Sequence, residues 1–216
     1  MIYFDIETNP HDREALKASM PTFTAPANWK DEDKIAAKIA EQEEKFISKA
    51  ALNPATATVM AIGFYDDVTG QYQALTADDY ANGEKDLLAA AWDLITSHDA
   101  YTVQVLGWNI LNFDLPFMVK RSWKLGVKNP GTTLESWKGR IGFNAAFRDM
   151  MNIWTFGKYG EWAKLNDALA FFGLDPKVDL GDELFYQTYA TDPEKALRYL
   201  ERDVRSMVEL SSHISI

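Results

Sequence analysis

The sequence predicts an α/β fold, a mixed sheet with helices on its faces. Three observations carry that reading. Strand-like runs come first, at residues 2–7, 56–67 and 71–75, strands and helices then alternate, and the chain closes on helical patterns. That order fits a layered architecture in which helices cover a sheet. The 216 residues are 47% apolar and 13% aromatic, enough for one large domain over 1–216 with a helical insertion at 10–56.

Each element has its own signal. Residues 2–7 read as a strand that Asn9-Pro10 ends, because proline continues a central strand poorly. "DEDKIAAKIAEQEEKFISKAAL" reads as a helix, with Ile35, Ile39, Phe46 and Ala50 on one stripe. "TATVMAIGFYDD" and "QYQAL" read as strands paired through the turn "DDVTG". "GEKDLLAAAWDLITSH" is an amphipathic helix and "AYTVQVLGWN" a strand. "DLPFMVKRSWKLG" is a helix with Pro116 in its first turn and Gly126 near its end. "FNAAFRDMMNI" holds a short strand, "WAKLNDALAFFGL" a helix ended by Gly173, and "DPEKALRYLERDVRSMVELSSHI" the long final helix.

Composition narrows the chemistry. There is no cysteine, which excludes disulfides, zinc ribbons and thiolate catalysis, and the three histidines lack metal-ligand spacing. The start "MIYFDIET" lacks signal-peptide character and no apolar run is long enough to span a bilayer. The expectation is a cytoplasmic protein, of a bacterial or phage-infected cell, with no membrane partner. The net charge of −10 argues against a nucleic-acid ligand, but residues 120–158 carry +6 with Trp123, Trp137 and Trp154 among the bases. Such a tract is either a local phosphate-binding surface or a solvated helix face with core tryptophans.

Asp5 and Glu7 alternate with Phe4 and Ile6, so both acids point to one face of the first strand. Two carboxylates on a buried strand repel each other and lose hydration, which a hard divalent cation offsets; on an edge strand they would simply face solvent. Asp114 stands at a strand-to-helix corner, where it serves either as an N-cap or as a carboxylate reaching the first strand. Tyr199 and Asp203 are four apart on the last helix and share a face. Read alone, Asp203 could equally pair with Arg202, Arg205 or Lys195 at the surface.

In sequence order, "YFDIET", "GWNILNFDLPFMVKR" and "YLERDV" resemble the three motifs of the DEDDy 3'-5' exonucleases of the ribonuclease H-like superfamily. The likeness is to the proofreading domain of family B DNA polymerases and its stand-alone bacterial and phage relatives. It covers residues 1–9 and roughly 57–216, and "WAKLNDALAFFGLDPK" is similar to the family's helix before the last motif. The resemblance implies a five-stranded sheet whose first three strands are antiparallel and whose later strands are parallel. It implies that Asp5, Glu7, Asp114 and Asp203 hold two Mg²⁺ or Mn²⁺ ions, about 4 Å apart as in other two-metal sites, and that Tyr199 orients the attacking water. A phenol with an unperturbed pKa near ~10 is a poor base by itself, so the metal would do most of the acidification.

The implied reaction is hydrolysis of the terminal phosphodiester at a 3' end, releasing 5'-mononucleotides. The implied partner is a nucleic acid with a free 3' end, with single-stranded DNA favoured, and any replication or repair partner would act in trans. Thr8, Asn109, Asn112 and Phe113 lie beside the motif acids and are candidate contacts to the terminal nucleotide. Phe113 could instead be core and Asn112 could satisfy the corner's backbone. Asp149 reads as a structural acid at a strand end, paired with Arg148 or Arg140. The competing functions are an RNA-directed exonuclease or an endonuclease on the same fold, a non-catalytic module that grips a 3' end, and an acidic interaction protein.

Overall fold

The computed structural model describes residues 1–96, 104–129, 147–158, 160–176 and 184–214. The chain divides into two compact units, one formed by Met1–Glu7 with Val59–Ile216 and the other by Thr8–Thr58. Five strands, β1 (Ile2–Pro10), β2 (Ala57–Asp66), β3 (Gln71–Thr76), β4 (Val105–Gly107) and β5 (Phe147–Asp149), form one sheet in the order β3-β2-β1-β4-β5. β2 and β3 are an antiparallel hairpin in register from Ala61 opposite Thr76 to Asp66 opposite Gln71. Its turn is the expected "DDVTG": Gly70 takes φ +69°, which only glycine adopts cheaply, and its N–H donates to the Asp66 carbonyl at 2.8 Å. β4 runs parallel to both β1 and β5.

β1 is the central strand, and this sets its chemistry. Phe4 and Ile6 are buried on one face, with Phe4 stacked on Phe64 at 6.0 Å between centroids. On the other face Tyr3 is buried and donates its hydroxyl to Ser211 Oγ at 2.8 Å. The edge-strand alternative for Asp5 and Glu7 therefore does not apply. The strand also runs further than expected: Pro10 is its last residue, and the next N–H, of His11, donates to the Thr56 carbonyl.

Within Thr8–Thr58, helix α1 (Arg13–Leu16) is capped by Asp12, whose side chain accepts from the Ala15 N–H. Helix α2 (Glu32–Ala50) is capped by Asp31, whose side chain accepts from the Lys34 N–H. Leu16, Ile47 and Ala50 form a small core with Met20 and Phe46 against it. Of the expected stripe, Ala50 joins this core and Phe46 packs against it, while Ile35 and Ile39 are half-buried.

The other unit carries α3 (Glu84–Thr96), α4 (Asp114–Leu125), α5 (Met150–Trp154), α6 (Leu165–Phe171), α7 (Phe185–Thr191) and α8 (Pro193–Ser211). α4 ends on Gly126 at φ +67°, whose N–H bonds back to Ser122 and Trp123. α3 and α4 are tied by a buried ion pair, Arg121 Nε to Glu84 Oε1 at 2.8 Å, and Glu84 also accepts the Val59 N–H at 2.7 Å. Arg121 is thereby removed from the basic tract, while Lys138, Arg140 and Trp137 lie outside the described residues. α8 buries Ala196, Leu200, Val204, Met207 and Leu210 in the core that also holds Tyr3, Ala61 and Leu106. α6 starts three residues later than the sequence pattern implies, which leaves 162–164 outside the helix. Among the described residues no helix is long and apolar enough to cross a membrane.

Candidate active site

Asp5 and Glu7 leave the same face of β1 and α8 lies over that face. The close approach depends on a missing side chain. A Cβ at Gly63 of β2 would stand 2.9 Å from Leu200, 3.0 Å from the Tyr72 hydroxyl and 3.1 Å from Val204. With glycine there, Leu200 and Val204 settle onto the sheet and carry Asp203 to β1. Asp5, Glu7 and Asp203 each offer a carboxylate oxygen, all within 4.8 Å of one another. Asp203 is buried and Asp5 and Glu7 are half-buried.

The surface alternative for Asp203 is not what the helix does. Arg202 pairs with Glu209 at 2.9 Å and Arg205 with Glu201 at 2.7 Å, and the Arg205 guanidinium lies over the rings of Tyr65 and Tyr72. Tyr199, one turn before Asp203, lines the same cleft and packs against Phe185 at 6.3 Å between centroids.

Asp114 arrives differently. β4 is only three residues long in the sheet, so the Ile6 N–H extends beyond the β1–β4 ladder. Asp114 Oδ1 accepts that N–H at 3.1 Å. Asp114 is the first residue of α4 and not its cap, Phe113 holding that position with no side-chain bond. Burial, then the negative charge of Asp5, pushes the Asp114 carboxyl well above the usual range, partly offset by the Ile6 bond. It stands outside the three-carboxylate group, yet within the electrostatic reach of Asp5. The same field touches Tyr72, whose phenol is pushed up by burial first and then by Glu201 and Asp5.

The corner before α4 is built by the residues that the sequence offered as nucleotide contacts. Gly107 is required there, because a Cβ would meet Ile110 Cγ2 at 2.2 Å and the Phe4 carbonyl at 2.7 Å. Asn109 takes φ +63°, a conformation asparagine tolerates, and its side-chain oxygen accepts from Asn112 Nδ2 at 2.9 Å. Phe113 packs on Phe117 at 5.6 Å. Thr8 is buried and donates its hydroxyl to the Ala51 carbonyl at 2.7 Å. Asp149 is structural in a different way from the expected arginine pairing. Its oxygens accept the backbone N–H groups of Asn109, Leu111, Met151 and Asn152, and Arg148 donates to Gln104. Arg140 lies outside the described residues.

The cleft over the acids has a volume of about 330 Å³. It is also lined by residues that sequence reasoning did not single out: Trp108, Trp162, Lys164 and Asn166. Trp108 is anchored by its indole N–H, which donates to the Ala163 carbonyl at 3.0 Å. The available signal was the string Trp162-Ala163-Lys164 just before an amphipathic run. Reading it as helix hid a loop wall carrying an aromatic and a cation. The donor set, three converging carboxylates backed by a fourth, is all hard oxygen, which suits Mg²⁺ or Mn²⁺.

Comparison with known proteins follows the same lines. A family model described as a predicted 3'-5' exonuclease related to the exonuclease domain of PolB matches residues 45–207, three-quarters of the chain. Among solved structures, the family B DNA polymerase from the hyperthermophilic archaeon Pyrobaculum calidifontis is similar over 99% of this chain, with a TM-score of 0.60 at 17% identity. That likeness bears on the fold, and it agrees with the mixed ribonuclease H-like sheet expected from the sequence. The chain spans 24% of the length of that polymerase. No curated protein matches the sequence.

Proposed function

The chain belongs to the family of predicted 3'-5' exonucleases related to the exonuclease domain of PolB, and from that premise we propose that it removes nucleotides from the 3' end of single-stranded DNA with two bound divalent cations. The observation that carries this reading is the meeting of Asp5, Glu7 and Asp203 within 4.8 Å, in a cleft that Tyr199 also lines. Carboxylates from two separate elements repel at that distance, and a bound divalent cation would offset that repulsion.

Asp5, Glu7 and Asp203 would hold the ions, with Asp114 as the fourth carboxylate. Its Oδ1 serves Ile6, and a carboxylate has more lone pairs than that bond uses. Bound divalent ions supply acidification of a water and neutralisation of charge on the phosphate and the leaving 3' oxygen. The chain's own groups do the rest. Tyr199 holds the attacking water through its hydroxyl and aims it at the terminal phosphorus. Lys164, exposed and lining the same cleft, pairs with a phosphate oxygen of the strand. The new P–O bond forms to the water oxygen, the P–O3' bond breaks, and a proton ends on the 3' oxygen, so a 5'-mononucleotide leaves. Asn109, Asn112, Phe113 and Thr8 act through the scaffold in this scheme, by fixing the corner and the end of β1.

The test is a gel assay with Mn²⁺ on 3'- and 5'-labelled oligonucleotides, single-stranded, duplex, circular and RNA. Mononucleotides should appear first from the 3' label, linear single-stranded DNA should be cut fastest, and the circle should survive. Asp5→Ala should lose more than the roughly 10- to 100-fold that an outer partner costs a metal site, with the fold intact by circular dichroism. Cutting of the circle, or full activity in Asp5→Ala, would overturn the reading.

A further inference from the structure

Trp162 is an expensive residue to leave in water. Among the described residues, eight large apolar side chains are exposed, and of these Trp162, at 73% exposure, alone lines the acidic cleft. Its neighbours are held on both sides. The Ala163 carbonyl accepts from Trp108, and the Lys164 carbonyl accepts the N–H groups of Asp167 and Ala168 as α6 begins. The Glu161 N–H bonds to Lys158. The indole is thus presented from an anchored backbone, and a ligand that covers it need not order the segment first. Trp162 and Lys164 are two residues apart in a non-helical segment and both face the cleft.

We propose that Trp162 is a stacking platform for an unpaired nucleobase of the substrate strand, in the cleft that the carboxylates also line. This rests on the nucleic-acid reading above and narrows it. An aromatic face accepts any base, since every base has a π-face, so the contact is tolerant of sequence. It disfavours the interior of a duplex, where each base has both faces covered by its neighbours. Lys164 takes the backbone phosphate while Trp162 takes the base. A single strand can offer both at once, and the two contacts give an acidic protein a hold on a polyanion. A stacked base contributes roughly 5- to 150-fold in affinity, enough to set which strands are held.

The experiment crosses two changes. Single-stranded oligonucleotides lacking one base, at each of the last four positions in turn, are assayed with Mn²⁺ on the wild type, Trp162→Ala and Trp162→Phe. For the wild type, KM should rise about tenfold when the base that meets Trp162 is missing. Trp162→Ala should show a raised KM on the intact strand and no further rise on that abasic strand. Trp162→Phe should keep most of the wild-type dependence. A wild-type chain that cuts single strands, while Trp162→Ala keeps the same dependence on base position, overturns the platform and leaves the nuclease standing. A wild-type chain that neither binds nor cuts any nucleic acid overturns both.

Discussion

Asp149 and Asp114 are both buried carboxyls beside one corner, and they meet burial by different means. Asp149 is surrounded by four backbone N–H groups and organises the loop that carries Asn109 and Leu111. Burial lifts its carboxyl above the ordinary range and the N–H bonds pull it back in part. A carboxyl raised in the folded state binds its proton more tightly there, so its contribution to stability falls as pH rises through that window. Asp149→Asn keeps one carbonyl acceptor but turns an amide donor towards N–H groups. Each N–H left without a partner costs about 1–3 kcal/mol. The variant should therefore be less stable in urea at every pH, with the gap to wild type narrowing as pH rises above about 4. A gap that widens with pH would mean that the N–H cage outweighs burial. The sequence marked Asp149 as structural but not its four N–H partners, because two come from the first turn of α5 and two from a corner about 40 residues earlier in the chain.

The helices were legible where a local rule governs them. Gly126 closes α4 in the left-handed region, as cap chemistry requires. The start of α6 was not, because Trp162-Ala163-Lys164 continues an apolar and polar rhythm that fits a helix. What ends it is the tertiary bond from Trp108 to Ala163, 55 residues away in sequence. Arg121 was misleading for a similar reason. It sits in a basic tract, yet it reaches Glu84 in a two-point pair at 2.8 and 2.5 Å, with both side chains nearly buried. That pair joins α3 to α4, and through the Val59 N–H it also holds the start of β2. Arg121→Met should cost about 3–5 kcal/mol by leaving a buried carboxylate uncompensated. Glu84→Gln in the Arg121→Met background should recover part of that loss, since the amide oxygen can still serve Val59. Urea unfolding of the two variants decides this, and equal or greater loss in the double variant would show that the pair does not act as a unit.

Across the chain as a whole, the net charge of −10 and the gathered acids set up one thermodynamic expectation. The motif acids were legible because three motifs stand in the order that the family resemblance requires, where spacing alone left each of them open. The resemblance implied their convergence, but not its physical cause, Gly63 admitting α8 to the sheet, which is an effect of one absent side chain. The proposed site exists only in the folded chain, so a divalent cation that fills it stabilises by RT ln(1 + [L]/Kd), about 2.7 kcal/mol at a hundred times Kd. Without cations the same carboxylates repel, and removing one should relieve the cluster. Asp203→Asn should therefore unfold at a higher temperature than wild type in EDTA. In millimolar Mn²⁺ the order should reverse, the wild type gaining several degrees and the variant little. Screening of the general negative charge cannot produce that crossing, because it would lift both proteins alike, and K⁺ at matched ionic strength would do the same. If Mn²⁺ raises both proteins equally, the acids do not form a cation site and the proposed hydrolysis loses its chemistry.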